Sequence, residues 1–235
     1  MKPVFSSQLS LQVHLPDDET FESYYSAGND QLISSLRLSA KGQGEACTYL
    51  WGAGQSGRTH LLHAACAEAT EQGRQTFYLP FSIQASMSPA ILEGLENLDL
   101  ICIDDVDQIA GNPIWEEALF HFYNRVLETG KASLVLTATA PVKEAGFLLP
   151  DLKSRLQWGV SYQLQPIADE QKLQALQHRA ELRGLQLPED AGRFLINRLT
   201  RDMRTLYDVL DRLDKASLVH KRRLTIPFIK ETLHL

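Results

Sequence analysis

Cysteine is scarce in this chain, with three among 235 residues, at positions 47, 66 and 102. They are odd in number, far apart and each set among apolar neighbours. That excludes a disulfide framework and makes each of them a small buried hydrophobe in a reducing compartment. Long apolar runs are missing as well. No stretch approaches the roughly 20 residues that a membrane-spanning helix needs, and the opening MKPVFSSQLSLQVHLPDDE lacks the apolar core of a secretory signal. The cytoplasm is the expected location. A basic excess is lacking too: the net charge is −6, so the field of the whole molecule does not attract DNA. The compact basic run Lys221, Arg222, Arg223 reads first as a solvated helix end and only second as a nucleic-acid contact. There is no internal repeat and no low-complexity segment.

Apolar residues, by contrast, are plentiful. They make up 44% of the chain, enough for one α/β domain with a smaller one appended. Within residues 1–15, Leu9, Leu11, Val13 and Leu15 alternate along 8–15, which is strand periodicity, before a break at Pro16 and the acids Asp17, Asp18 and Glu19. From residue 46 onward, apolar runs recur at 46–51, 76–80, 98–103, 133–138 and 160–164, with helical patterns at 59–72 and 113–129. Short apolar strands alternating with helices predict a parallel five-stranded sheet covered on both faces. After Pro166 the strand signal stops and 169–183, 189–199, 202–219 and 227–233 all read helical, with Asp169 and Asp202 as expected N-caps and Met203, Leu206, Leu210 and Leu213 as a seam. The expected organisation is a tail at 1–15, an α/β nucleotide-binding domain at 16–166 and a small helical lid domain at 167–235.

The strongest chemical signal is Gly52-Ala53-Gly54-Gln55-Ser56-Gly57-Arg58-Thr59, continuing into His60. It follows a predicted strand and opens a predicted helix, which is the setting of a phosphate-binding P-loop. Glycines let the loop curl so that successive N–H groups point at phosphate oxygens, and the helix N-terminus adds its positive end. Thr59 stands where a hydroxyl ligates Mg²⁺. Arg58 stands where Lys is usual. Its broad planar fork can support binding while fitting the transition state less well than a compact ammonium. About 50 residues later a strand ends in Asp104 and Asp105. An apolar strand ending in two acids is the Walker B pattern, with Asp104 a candidate to hold Mg²⁺ and Asp105 to orient an attacking water. Arg155 precedes the last strand, and Arg204 lies beside the apolar seam of the third lid helix.

Residues 51–63, the acidic strand end, 149–159 and 202–208 together resemble the AAA+ module of the bacterial initiator DnaA, and the resemblance covers nearly the whole chain. DnaA proteins continue into a C-terminal DNA-binding domain. Because this sequence ends after the lid, it is expected to be similar to the Hda family of short DnaA-like regulators; the segment Gln8-Leu9-Ser10-Leu11, the P-loop Arg58 and Leu224-Thr-Ile-Pro-Phe228 also fit that family. The resemblance implies an AAA+ protein with ADP, or another nucleotide, and Mg²⁺ as cofactors. It also implies two partners, the DNA polymerase sliding clamp and DnaA, and a role in stimulating hydrolysis of DnaA-bound ATP, with little or no ATPase activity of the chain's own. On the same resemblance Arg155 is the arginine finger acting in trans and Arg204 the lid arginine that reaches the nucleotide. Gln8, Leu9, Ser10, Leu11 and Val13 form the clamp-binding peptide, departing from the family's usual Pro-Leu at Gln12-Val13, and either Thr137 or Thr139 is the sensor at the end of the fourth strand. From periodicity alone, 8–15 reads instead as an edge strand. A DnaA-like ATPase or loader with its own turnover is the alternative function.

Overall fold

The computed structural model describes residues 19–199 and 202–235. The sheet is built from β1 (Cys47–Trp51), β2 (Thr76–Pro80), β3 (Leu100–Asp104), β4 (Ser133–Ala138) and β5 (Val160–Gln163), in the order β2-β3-β4-β1-β5. Every neighbouring pair is parallel. The helices are α1 (Asp30–Ala40), α2 (Arg58–Glu71), α3 (Pro113–Thr129) and α4 (Pro150–Trp158) around the sheet, then α5 (Lys172–Leu182), α6 (Glu189–Arg198), α7 (Met203–His220) and α8 (Ile226–Leu233).

Burial on both faces explains why the strands read as continuous apolar runs. Successive side chains of a strand point to opposite faces. Ile101 and Ile103 pack with Leu134, Leu136 and the α3 residues Trp115, Leu119 and Phe122. Leu100 and Cys102 pack on the other face with Val135, Leu32 and Leu36 of α1, and Leu61, Leu62 and Cys66 of α2. All three cysteines are buried and free, as expected of small apolar fillers. The last four helices have a cluster of their own, in which the α7 seam Met203, Leu206, Leu210 and Leu213 meets Leu176, Leu195 and Phe228.

Some elements were not expected, and one expectation needs correction. Between β2 and β3 no α-helix forms; the chain makes short 3-10 turns at Phe81–Ser86, Pro89–Leu92 and Leu95–Asn97, because Pro89 and the left-handed Gly94 (φ 82°) interrupt any longer helix. Helices α1 and α4 have no counterpart among the expected elements. Asp169 is not the N-cap of α5. It sits inside a 3-10 turn, Asp169–Gln171, and its carboxylate meets the Lys172 ammonium at 2.6 Å. Asp202, in contrast, does cap α7, accepting from the N–H groups of Arg204 and Thr205. The segment 8–15 and its two readings lie outside the described residues.

Candidate nucleotide site

The loop 52–57 leaves β1 at the C-terminal edge of the sheet and enters α2, the place where open α/β sheets bind ligands. Its shape depends on two glycines. A Cβ on Gly52 would come within 3.0 Å of the Leu164 side chain. Gly57 has φ 92° and a Cβ there would lie 2.7 Å from the Tyr24 ring. Gln55 is also left-handed, at φ 65°. Tyr24 closes over the loop and donates its hydroxyl to the Ser56 carbonyl at 3.3 Å. No side-chain oxygen caps the start of α2, and its first turn carries no acid. Helix α2 therefore keeps its positive end for an external anion.

Asp104 ends β3 and is 4% exposed. Three hydroxyls converge on its carboxylate: Thr59 at 2.7 Å, Tyr78 at 2.9 Å, and Thr137. Burial and the Asp104 carboxylate together push the Tyr78 phenol far up, so it stays a neutral donor. Asp105 is left-handed (φ 53°), and its N–H donates to the Thr137 hydroxyl at 2.9 Å. Burial, reinforced by the charge of Asp104, raises the Asp105 carboxyl; Arg58 opposes this. Thr137 is thus fully buried and engaged with both acids. Thr139 donates its N–H to Asp107 at 3.0 Å and its hydroxyl to the same carboxylate.

The Arg58 guanidinium crosses the edge of the sheet. It donates to the Gly52 carbonyl, to the Ala138 carbonyl at 3.0 Å and to Asp105 Oδ1 at 2.6 Å. His60 faces the other way, with Nε2 2.9 Å from the Thr20 carbonyl and 3.2 Å from Ser23 Oγ. A carbonyl only accepts, so Nε2 carries the proton. Burial lowers the His60 imidazolium pKa below its ordinary value, against the pull of the Thr20 carbonyl and Glu19, and the ring is neutral at pH 7.

A cavity of about 410 Å³ lies between this loop and the last helices, a size that suits a small-molecule ligand. It brings together Gln55, Ser56, Gly57, Arg58, Thr59, His60 and Asp105 with Arg204 from the first turn of α7. Gly52, Ala53, Gly54 and Asp104 do not line it. Two walls were not read from the sequence. One is the strap 19–25, which contributes Glu19, Ser23, Tyr24 and Tyr25. The other is Arg179 of α5, buried, with its guanidinium 5.1 Å from the Tyr207 ring centre. The signal for Arg179 was present: it falls at helical spacing from Ala175 and Leu176 on the apolar face, where a charge is out of place.

Arg155 is not part of this cavity. It rides the last turn of α4, which Leu152 and Leu156 bury in the core, and its guanidinium stacks 4.4 Å from the Trp158 ring centre. Trp158 is 69% exposed. Among the described residues no cluster of three or more His, Cys, Asp or Glu side chains is placed to bind a metal, and no helix is long and apolar enough to cross a membrane.

Comparison with known proteins assigns families to both parts of the chain. The family model of the bacterial DnaA ATPase domain matches residues 15–163, and that of the Hda lid domain matches 169–233. Among solved structures, domain III of the replication initiation protein DnaA from Thermotoga maritima is 22% identical, with TM-score 0.74, covering 94% of this chain and 98% of that one. AMPPCP-bound DnaA from Aquifex aeolicus is 19% identical, with TM-score 0.70, over 84% of this chain and 65% of that one. The RuvB Holliday junction branch migration motor of Thermotoga maritima is 17% identical, with TM-score 0.61, over 89% and 68%. At these identities the structural likeness shows the fold alone.

Proposed function

Since the chain belongs to the family of the bacterial DnaA ATPase domain, and is an Hda-like, DnaA-related AAA+ protein, we propose that it is a nucleotide-bound regulator of DnaA. It holds a nucleotide, ADP or ATP or another nucleoside diphosphate, between P-loop and lid, engages the sliding clamp through Gln8, Leu9, Ser10, Leu11 and Val13, and stimulates hydrolysis of DnaA-bound ATP in the cytoplasm. Its domains are the tail 1–15, the nucleotide-binding domain 16–166 and the lid 167–235. The observation that carries this reading is the separation of two arginines: Arg204 faces the chain's own cavity, whereas Arg155 lies apart from it beside an exposed tryptophan. An arginine that completes a neighbour's site belongs outside its own.

Mg²⁺ fits the donors present. Thr59 Oγ1 and Asp104 Oδ2 are hard oxygens 2.7 Å apart. Mg²⁺ is commonly held by one or two such groups, with phosphate and water completing the shell. Thr59 and Asp104 would hold it, and it would neutralise phosphate charge. Around it, Tyr78 and Thr137 orient the Asp104 carboxylate, α2 presents its N-terminus to phosphate, and Arg204 approaches from the lid.

The test is turnover of labelled ATP on DnaA in the presence of clamp-loaded DNA. Arg155→Ala should retain its fold, its own nucleotide and its clamp binding, yet lose nearly all stimulation, since fingers supplied in trans contribute about 10³–10⁵ in rate. Equal stimulation by mutant and wild type removes Arg155 from the mechanism. Loss of the chain's own nucleotide would mean that Arg155 acts in cis.

A further inference from the structure

Arg58 and Asp105 occupy the positions from which a P-loop protein addresses the terminal phosphate, yet they are bonded to each other. The guanidinium spans the C-terminal edges of three adjacent strands: the Gly52 carbonyl just past β1, the Ala138 carbonyl ending β4, and the Asp105 carboxylate just past β3. Its side chain is only 10% exposed, and that of Asp105 27%. A planar fork with five fixed donors can satisfy all three acceptors at once; a lysine ammonium lacks that fixed geometry. Asp105 is held from its other side as well, by its own N–H on Thr137 in a left-handed backbone conformation that aspartate adopts at some cost.

We propose that Arg58 and Asp105 form a latch that disarms the chain's own hydrolysis, so that a bound nucleotide is kept as a structural ligand rather than turned over. The proposal rests on the nucleotide-binding reading above. Hydrolysis joins a water oxygen to the γ-phosphorus, breaks the bond from that phosphorus to the bridging oxygen, and yields nucleoside diphosphate and inorganic phosphate. The carboxylate beside the loop holds that water and takes up its proton. A carboxylate already accepting a charged hydrogen bond from Arg58 is a weaker acceptor for the water, and the short aspartate side chain is drawn toward the sheet edge. The same pairing occupies the cation that a lysine would offer to the phosphate. One contact therefore removes two contributions to turnover, while the backbone N–H groups of the loop, which provide binding, are left as they are.

Two measurements on the full chain decide it, with wild type, Arg58→Lys, Asp105→Asn and the double variant. In melting of nucleotide-stripped protein, Asp105→Asn should lower the transition by several degrees less in the Arg58→Lys background than in wild type, because the partner is already lost. In ATP turnover, Arg58→Lys should rise by about tenfold or more over wild type, and adding Asp105→Asn should remove the gain. Additive melting shifts, an Arg58→Lys protein that binds ATP with unchanged turnover, or a gain that survives Asp105→Asn would each overturn the latch. If Arg58→Lys does not fold, Arg58→Gln takes its place in the melting cycle, and in turnover it should show only the part of the gain that comes from freeing Asp105. A wild type whose melting is unmoved by either ADP or ATP would instead refute the nucleotide reading, and the stripped-protein cycle would still read the latch.

Discussion

Gly57 is constrained twice, by a left-handed φ of 92° and by the Tyr24 ring 2.7 Å from where a Cβ would stand. The first constraint is readable in the sequence, since a P-loop demands glycine there. The second is not, because Tyr24 lies 33 residues away with no local pattern linking the two. Gly57→Val must open the loop or displace the tyrosine, and either change spoils the arrangement of N–H groups that faces phosphate. The expected outcome is a folded protein whose melting temperature no longer rises with saturating ADP, whereas the wild type gains about 2.7 kcal/mol at a ligand concentration 100 times its Kd. A normal ADP-induced rise in the variant would mean that the loop does not bind phosphate. Arg58 marks the same limit of sequence reading. Its identity is evident from the chain, but its three acceptors come from segments up to 80 residues away.

At the scale of elements, periodicity is the reliable guide. The strands are legible as short continuous apolar runs, since the sheet is covered on both faces, and the four last helices because each buries a defined face. Helix α4 is not, because only Leu152 and Leu156 of its nine residues are buried, too few to set a period. The turns at 81–97 lack any repeat that could announce them. Helix α7 shows both seam and cap. Burial alone would raise the Asp202 carboxyl, but hydrogen bonds from the Thr205 hydroxyl and from the Thr205 and Arg204 N–H groups outweigh it and hold the pKa below its ordinary 3.8. The sign follows: a carboxyl depressed on folding stabilises above its unfolded pKa, and that stabilisation disappears as pH falls through the folded one. Asp202→Ala should therefore cost about 1 kcal/mol at pH 7, and the difference from wild type should shrink as pH is taken below 3.8. Melting at the two pH values checks it; a pH-independent gap would assign the loss to packing. Because Arg204 sits in the capped turn, ADP affinity should fall together with stability.

For the molecule as a whole, the class of fold is legible and the arrangement is not. Alternating strands and helices imply a parallel sheet, but the order β2-β3-β4-β1-β5 depends on long-range packing. The loop and the acids can be named from motifs and Arg204 from the family resemblance, yet the cavity wall formed by 19–25 comes from a stretch without either. The clamp reading falls on residues preceding that stretch. Changing Gln8 and Leu11 together to Ala should abolish clamp binding and leave nucleotide affinity intact, as measured by clamp pull-down alongside ADP titration. Clamp binding that survives the double change would favour the edge-strand reading of 8–15.

The strap is fastened at both ends of the cavity. Thr20 and Ser23 hold His60 of α2, Glu19 holds His63, and Tyr24 holds the loop. On the lid side, Tyr25 donates to Gln174 at 2.7 Å and the Glu22 carbonyl meets His178 at 2.7 Å. Two ligands that act on opposite ends of one such segment become thermodynamically linked. If clamp engagement N-terminal to Glu19 and ADP both favour the fastened strap, the clamp tightens ADP by some factor and ADP tightens the clamp by the same factor.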